Sequence, residues 1–298
     1  TKRIILTIII LLSIFLRLWK ITEVPVSLFG DELDVGYQAY SILKTGKDYN
    51  GNFMPLHFHS QAEWRTPLYL YSAVPTVAIF GISPLGVRLP AVFFGILGVW
   101  AMYLAVSEMT LYASCGSIGI KKRINADSFS RSLVTDHQPL SLVAAFLLAI
   151  SPWHIQYSRA AFEVTELIAF LLFGIYFFFR SLNNNGKHLW LSVMFFVLTP
   201  WIYSSAKLFT PFFLLFVFMI FWREIMSLKR KEIVTAVLVG LVLGVPLIYS
   251  TLFGGGSQRF GYISVFTDPT MEGDVGCARL NDTVVEGVDR NPLQKISS

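Results

Sequence analysis

Apolar residues run in long unbroken blocks along this chain, at 4–19, 68–83, 89–112, 140–155, 162–179, 188–203, 208–222 and 233–253. Blocks of this length outrun ordinary strands, and they match or approach the roughly 17–25 residues that cross a bilayer as a helix. The pattern predicts an all-α, polytopic transmembrane helical bundle. One long mixed segment interrupts it, from Lys20 to about Pro67, and within that segment 32–43 reads as a short helix.

Composition sharpens this reading. Of the 298 residues, 54% are hydrophobic and only 14% charged, where a soluble domain carries about 25% charged residues. The mean hydropathy is +0.58. The net charge of +5 needs no nucleic-acid partner, because basic cytoplasmic loops of membrane proteins give the same excess. The chain starts at Thr1 and ends in a polar tail, which reads as a fragment of a longer protein.

Charge sets the expected topology. Lys2 and Arg3, with the linkers around 121–131, 180–187 and 223–231, hold half of the 24 Lys and Arg residues, and the positive-inside rule places all four inside. That arrangement requires the block at 68–83, which carries Pro75, not to cross. Seven spans result; an outside N-terminus with eight spans is the remaining alternative. Residues 1–253 then form one transmembrane module with a first external loop at 20–88, and 254–298 form an external tail. Cys115 and Cys277 fall on opposite sides, so no bridge between them is expected. The tail also carries Gly254-Gly255-Gly256 and a glycosylation-type sequon, Asn281-Asp282-Thr283.

Most unusual polar residues fall on the expected outer side. Asp31 and Glu32 are adjacent carboxylates beside Gly30. A carboxylate aimed at an acceptor hydroxyl can serve as general base, while spacing alone equally fits Asp31 as the N-cap of the following helix. Glu63, with His57 and His59, is a candidate divalent-metal set, although solvated side chains fit the same spacing. Ser158 and Arg159 stand beside Glu163 and Glu166, which are one turn apart and share a helix face; ionisable residues at membrane depth are costly and often functional. Arg65, Arg88, and the turn Tyr203-Ser204-Ser205-Ala206-Lys207 add candidate substrate contacts, with interfacial anchoring the simpler alternative. No Walker or Rossmann motif is present.

Taken in order, Arg17-Leu18-Trp19, Phe29-Gly30-Asp31-Glu32, Gly36-Tyr37-Gln38-Ala39-Tyr40, Thr66-Pro67-Leu68-Tyr69, Arg88-Leu89-Pro90, Ser151-Pro152, Ser158-Arg159 and the 203–207 turn resemble the GT-C fold glycosyltransferases. The likeness is to the group of dolichyl-phosphate-mannose protein mannosyltransferases and aminoarabinose transferases. It implies a GT-C type bundle with juxtamembrane helices in the first external loop. It also implies inverting transfer of a sugar from a polyprenyl-phosphate donor to a hydroxyl or phosphate on a lipid or protein acceptor, at the extracytoplasmic face of the plasma (inner) membrane. By that likeness Asp31 is the catalytic carboxylate, with Glu32 beside it, Glu163 helps form the site, and Arg159 and Lys207 bind the donor phosphate. Some members of the group use a divalent metal ion and others do not. A transporter or flippase for a lipid or polar solute is the rival class; the absence of an internal repeat weighs against it. A non-catalytic scaffold would leave the outer cluster of charges unexplained.

Overall fold

The computed structural model describes residues 2–60, 63–117 and 129–253; at 63, 115–117, 129–138 and 252 only the backbone is described. The linker charges Lys121, Lys122, Arg123 and Arg131, both cysteine side chains, the triple glycine and the sequon therefore lie outside the described side chains. The chain is helical: α1 (Lys2–Leu18), α2 (Gly30–Thr45), α3 (Pro67–Phe80), α4 (Pro84–Ser117), α5 (Phe129–Ile150), α6 (Pro152–Arg159), α7 (Val164–Asn183), α8 (Leu189–Ile202), α9 (Ala206–Ile220), α10 (Trp222–Met226) and α11 (Arg230–Phe253). A two-stranded antiparallel sheet, β1 (Phe58–Ser60) with β2 (Glu63–Arg65), stands between α2 and α3.

Three helices among the described residues are long and apolar enough to cross a membrane, within 84–114, 164–183 and 230–251. The predicted block at 140–155 is broken. Its two halves, α5 and α6, meet at a 54° bend and count as a fourth span if taken together. The break is encoded locally: Ser151 accepts a hydrogen bond from His154 N, and Pro152 opens α6, where its missing N–H costs nothing. Helices α3, α8 and α9 are apolar but have only 14, 14 and 15 residues. Large side chains on the outer faces of α1, α9 and α11 are exposed, among them Ile8, Phe212, Met219, Val242 and Phe253. Such apolar faces suit lipid.

Three buried clusters hold the bundle. Ile9 of α1 packs with Val99 of α4 and Leu142, Ala145 and Ala149 of α5, where alanines let the helices approach closely. Phe178, Leu189, Phe196 and Ala236 join α7, α8 and α11. The third cluster joins α2, β1, α3 and the start of α4 through Val35, Ala39, Phe58, Tyr69, Leu70, Val77 and Val87.

Helix α3 begins and ends at one end of the bundle. At its start, Thr66 Oγ1 donates to the Ile202 carbonyl at the end of α8 (2.6 Å). Near its finish, Thr76 Oγ1 donates to Gly86 O in the first turn of α4 (2.6 Å). That same end of α4 contacts Ile21 and Pro25, just past α1.

Arg17, near the end of α1, turns inward. It is fully buried and donates to Ser13 O and Oγ, Ala149 O and Ser158 Oγ, with His154 Nδ1 at 2.6 Å. Gly95 of α4 makes room for this cluster, since a Cβ there would lie 2.4 Å from Ser158 Oγ and 3.0 Å from Arg17 Nε. Gly95→Ala is expected to lower stability by about 1–3 kcal/mol through overpacking, read as a lower melting temperature in detergent.

Candidate functional site at one end of the bundle

The first loop, the α6–α7 junction, the α8–α9 turn and the end of α11 meet at this end. The Ala161 N–H, between α6 and α7, donates to Glu32 of α2 (3.2 Å). Thr66 ties the first loop to the α8–α9 turn. His57, just before β1, contacts Lys207 of α9 (Nζ to Nε2, 2.9 Å) and Ser250 of α11 (Oγ to Nδ1, 2.6 Å). The 180–187 and 223–231 linkers meet at the other end, where Arg180 pairs with Glu108 and Gly186 packs on Glu232 beside Leu228.

Helix α2 places the carboxylates. It starts at Gly30, two residues before the expected 32, and stops where Gly46 takes φ 70° and donates to Ile42 O, a conformation that favours glycine. Asp31 is not the N-cap, because Phe29 holds that position. Asp31 lies in the first turn, where the helix dipole favours a negative charge. Its side chain is 55% exposed, and one carboxylate oxygen is gripped by Arg65 of β2. Arg65 is buried and also approaches Asp34 (3.5 Å), which accepts from the Tyr49 hydroxyl (3.1 Å). Burial and the Asp34 carboxylate raise the Tyr49 pKa, keeping it a proton donor. An exposed carboxylate is thus fixed by a buried cation.

Glu32 has a different place from the one expected. It is fully buried. Its Oε1 accepts from Arg88 Nε (2.7 Å) and Ala161 N, and its Oε2 from Arg88 Nη2 (2.9 Å) and Phe29 N (3.3 Å). Arg88, equally buried, also donates to Ile21, Pro25 and Ser27 carbonyls. Both groups are spent on holding the first loop to α4, so neither reaches a substrate in this arrangement. Arg159 likewise differs from its expected role: its guanidinium donates to the Leu16, Lys20 and Val24 carbonyls and caps the end of α1. Lys207 is left as the better placed of the two expected phosphate ligands.

Glu163 precedes α7 and is half-buried, whereas Glu166 in the first turn is buried, with its Oε2 lacking a hydrogen-bond partner among the described residues. Both lie within electrostatic reach of the buried Tyr69 hydroxyl. Tyr203 ends α8, its carbonyl accepting from Ala206 N in the turn to α9.

The two histidines of the expected metal set are engaged elsewhere. His57 has both ring nitrogens engaged, which leaves no lone pair for a metal. His59 lies with its ring against Trp64, at 5.0 Å between centroids. The Glu63 side chain is outside the described residues, among which no three His, Cys, Asp or Glu residues gather. His57 is buried beside the Lys207 charge, and these two effects, burial first, push its pKa down from 6.5 to about 4. The folded protein therefore prefers the neutral ring. The resulting stabilisation is complete above pH 6.5 and declines as pH falls towards 4. Amides of 53–60 are expected to lose hydrogen-exchange protection between pH 7 and pH 5, after correction for intrinsic rates.

Sequence reasoning missed Tyr49 and Ser250. Tyr49 sits in a turn set by Asp48, whose Oδ1 accepts from Asn52 N (2.8 Å), and Asp-Tyr-Asn-Gly-Asn signals that turn. Ser250, inside an apolar helix, carries no comparable signal. No protein-family profile, curated protein or solved structure matches the chain.

Proposed function

We propose that the protein is a membrane glycosyltransferase of the GT-C type. It moves a sugar from a polyprenyl-phosphate donor to a hydroxyl or phosphate acceptor at the outer face of a seven-span bundle. One observation carries the reading. The β1–β2 hairpin holds a carboxylate at one contact and a cation at another. Arg65, which grips Asp31, is the ladder partner of Phe58, and His57, which holds Lys207, is the next residue along. Directly paired Cα atoms in such a ladder are about 4.5–5.5 Å apart, so one small element contacts both groups.

In the proposed reaction, Asp31 orients a hydroxyl acceptor and takes its proton as the oxygen attacks the anomeric carbon. The new C–O bond forms opposite the breaking bond to phosphate, which inverts the configuration. The bonding pair leaves with the polyprenyl phosphate, whose charge the Lys207 ammonium offsets. A phosphate acceptor needs no proton removed. Arg65 keeps the carboxylate aimed.

Transfer of radiolabelled sugar from a panel of short polyprenyl-phosphate sugars, in membranes holding the full-length protein, is the direct test. Label reaching an acceptor in an Asp31-dependent way supports the proposal. Absence of transfer from every donor at normal expression would count against it. The buried Glu166 oxygen that has no hydrogen-bond partner among the described residues favours a second reading, a lipid or polar-solute transporter, and flux across proteoliposomes without any transfer would support that one.

A further inference from the structure

His57 stands between a cation and a hydroxyl. It is 6% exposed, Lys207 Nζ lies 2.9 Å from its Nε2, and Ser250 Oγ lies 2.6 Å from its Nδ1. Three elements separated in sequence, the first loop, α9 and α11, meet on this one ring.

The chemistry of the partners fixes the proton. An ammonium group only donates, so Nε2 must present its lone pair to Lys207. A neutral imidazole then carries its proton on Nδ1, which donates to Ser250 Oγ. A serine beside a histidine also fits a nucleophile–base pair, but that pair needs a ring nitrogen accepting from the serine. Here the nitrogen facing Ser250 holds the proton and the other faces an ammonium, so Ser250 is not activated. The low pKa of His57 agrees with a ring that stays neutral at pH 7.

We infer that His57 is a positioning residue for Lys207: its Nε2 fixes the direction of the ammonium, Ser250 locks the required tautomer, and the cation so aimed receives the phosphate of a lipid headgroup. This rests on the proposed donor chemistry and adds to it the device that orients the cation. A lysine is a flexible point charge, and without such an anchor its four-carbon stem samples many directions. Phosphate is the ligand chemistry an aimed ammonium serves well, and free inorganic phosphate shares it with a lipid headgroup.

The test uses the full chain in nanodiscs and measures binding of a short-chain polyprenyl monophosphate, with no sugar present, alongside inorganic phosphate. Wild type is expected to bind the lipid phosphate. Lys207→Met should weaken it more than tenfold and His57→Ala on the order of tenfold, the scale of one hydrogen bond to a charged group. His57→Gln, whose amide oxygen can accept from Lys207, should return to within about threefold of wild type. Nitrogen NMR of labelled histidine should show the Nδ1–H tautomer at His57, as an ammonium donating to Nε2 requires. Wild-type affinity in Lys207→Met, equal losses in His57→Ala and His57→Gln, or the opposite tautomer would each overturn the inference. Equal affinity for inorganic phosphate would overturn the lipid assignment. Lipid-phosphate binding with this variant pattern but no sugar transfer would sink the transferase reading and leave the positioning role standing.

Discussion

Arg88→Met is expected to remove most of the folded protein. The substitution leaves the Glu32 carboxylate buried without its cation and strips three loop carbonyls of their donor. Breaking one side of a buried pair costs about 3–5 kcal/mol, more than replacing both sides. The double variant Glu32→Met with Arg88→Met should therefore recover part of the loss, though not all, because the Phe29 and Ala161 amides would still lack an acceptor. Thermal melting and folded yield in detergent measure both effects. A single variant that melts within a few degrees of wild type would show the pair to be dispensable. It would also return Glu32 to the set of candidate catalytic groups.

Asp31→Asn is expected to behave in the opposite way, with folding kept and chemistry lost. The side chain is more than half exposed, and Arg65 retains Asp34 as a neighbour. Removing a positioned general base lowers turnover by about 10²–10⁴. In the proposed reaction, sugar transfer should fall by that factor while the melting temperature and the donor KM hold, since Lys207 sits on a separate contact. Normal turnover by Asp31→Asn would end the assignment of this carboxylate.

The apolar blocks made the helices legible from sequence, because a bilayer-scale pattern depends on residue type alone. The short helix early in the first loop was readable from local composition. The bend at Ser151 was less so, since a serine and a proline inside an apolar run are tolerated in continuous helices too. Burial of the charged residues was not readable at all. Glu32 and Asp31 are neighbours in sequence and look alike there. The helix turns one into a sealed contact with Arg88 and leaves the other in the open. The same holds for Arg159, whose carbonyl partners lie more than a hundred residues away, and for Ser250, which meets His57 only through folding.

Helix α3 starts and finishes at the same end of the bundle, and this bears on how a lipid substrate would arrive. In the proposed reading, this apolar helix, which directly follows the polar hairpin, would keep the Lys207 region near headgroup depth. Drawing a lipid tail out of the bilayer costs about 0.8 kcal/mol per CH₂, so ten carbons would cost roughly 8 kcal/mol by the same rule. A phosphate met at headgroup depth leaves its tail where it already is. In the proposed reaction, binding would then involve sideways diffusion within the membrane, and the protein would never have to lift the lipid into water.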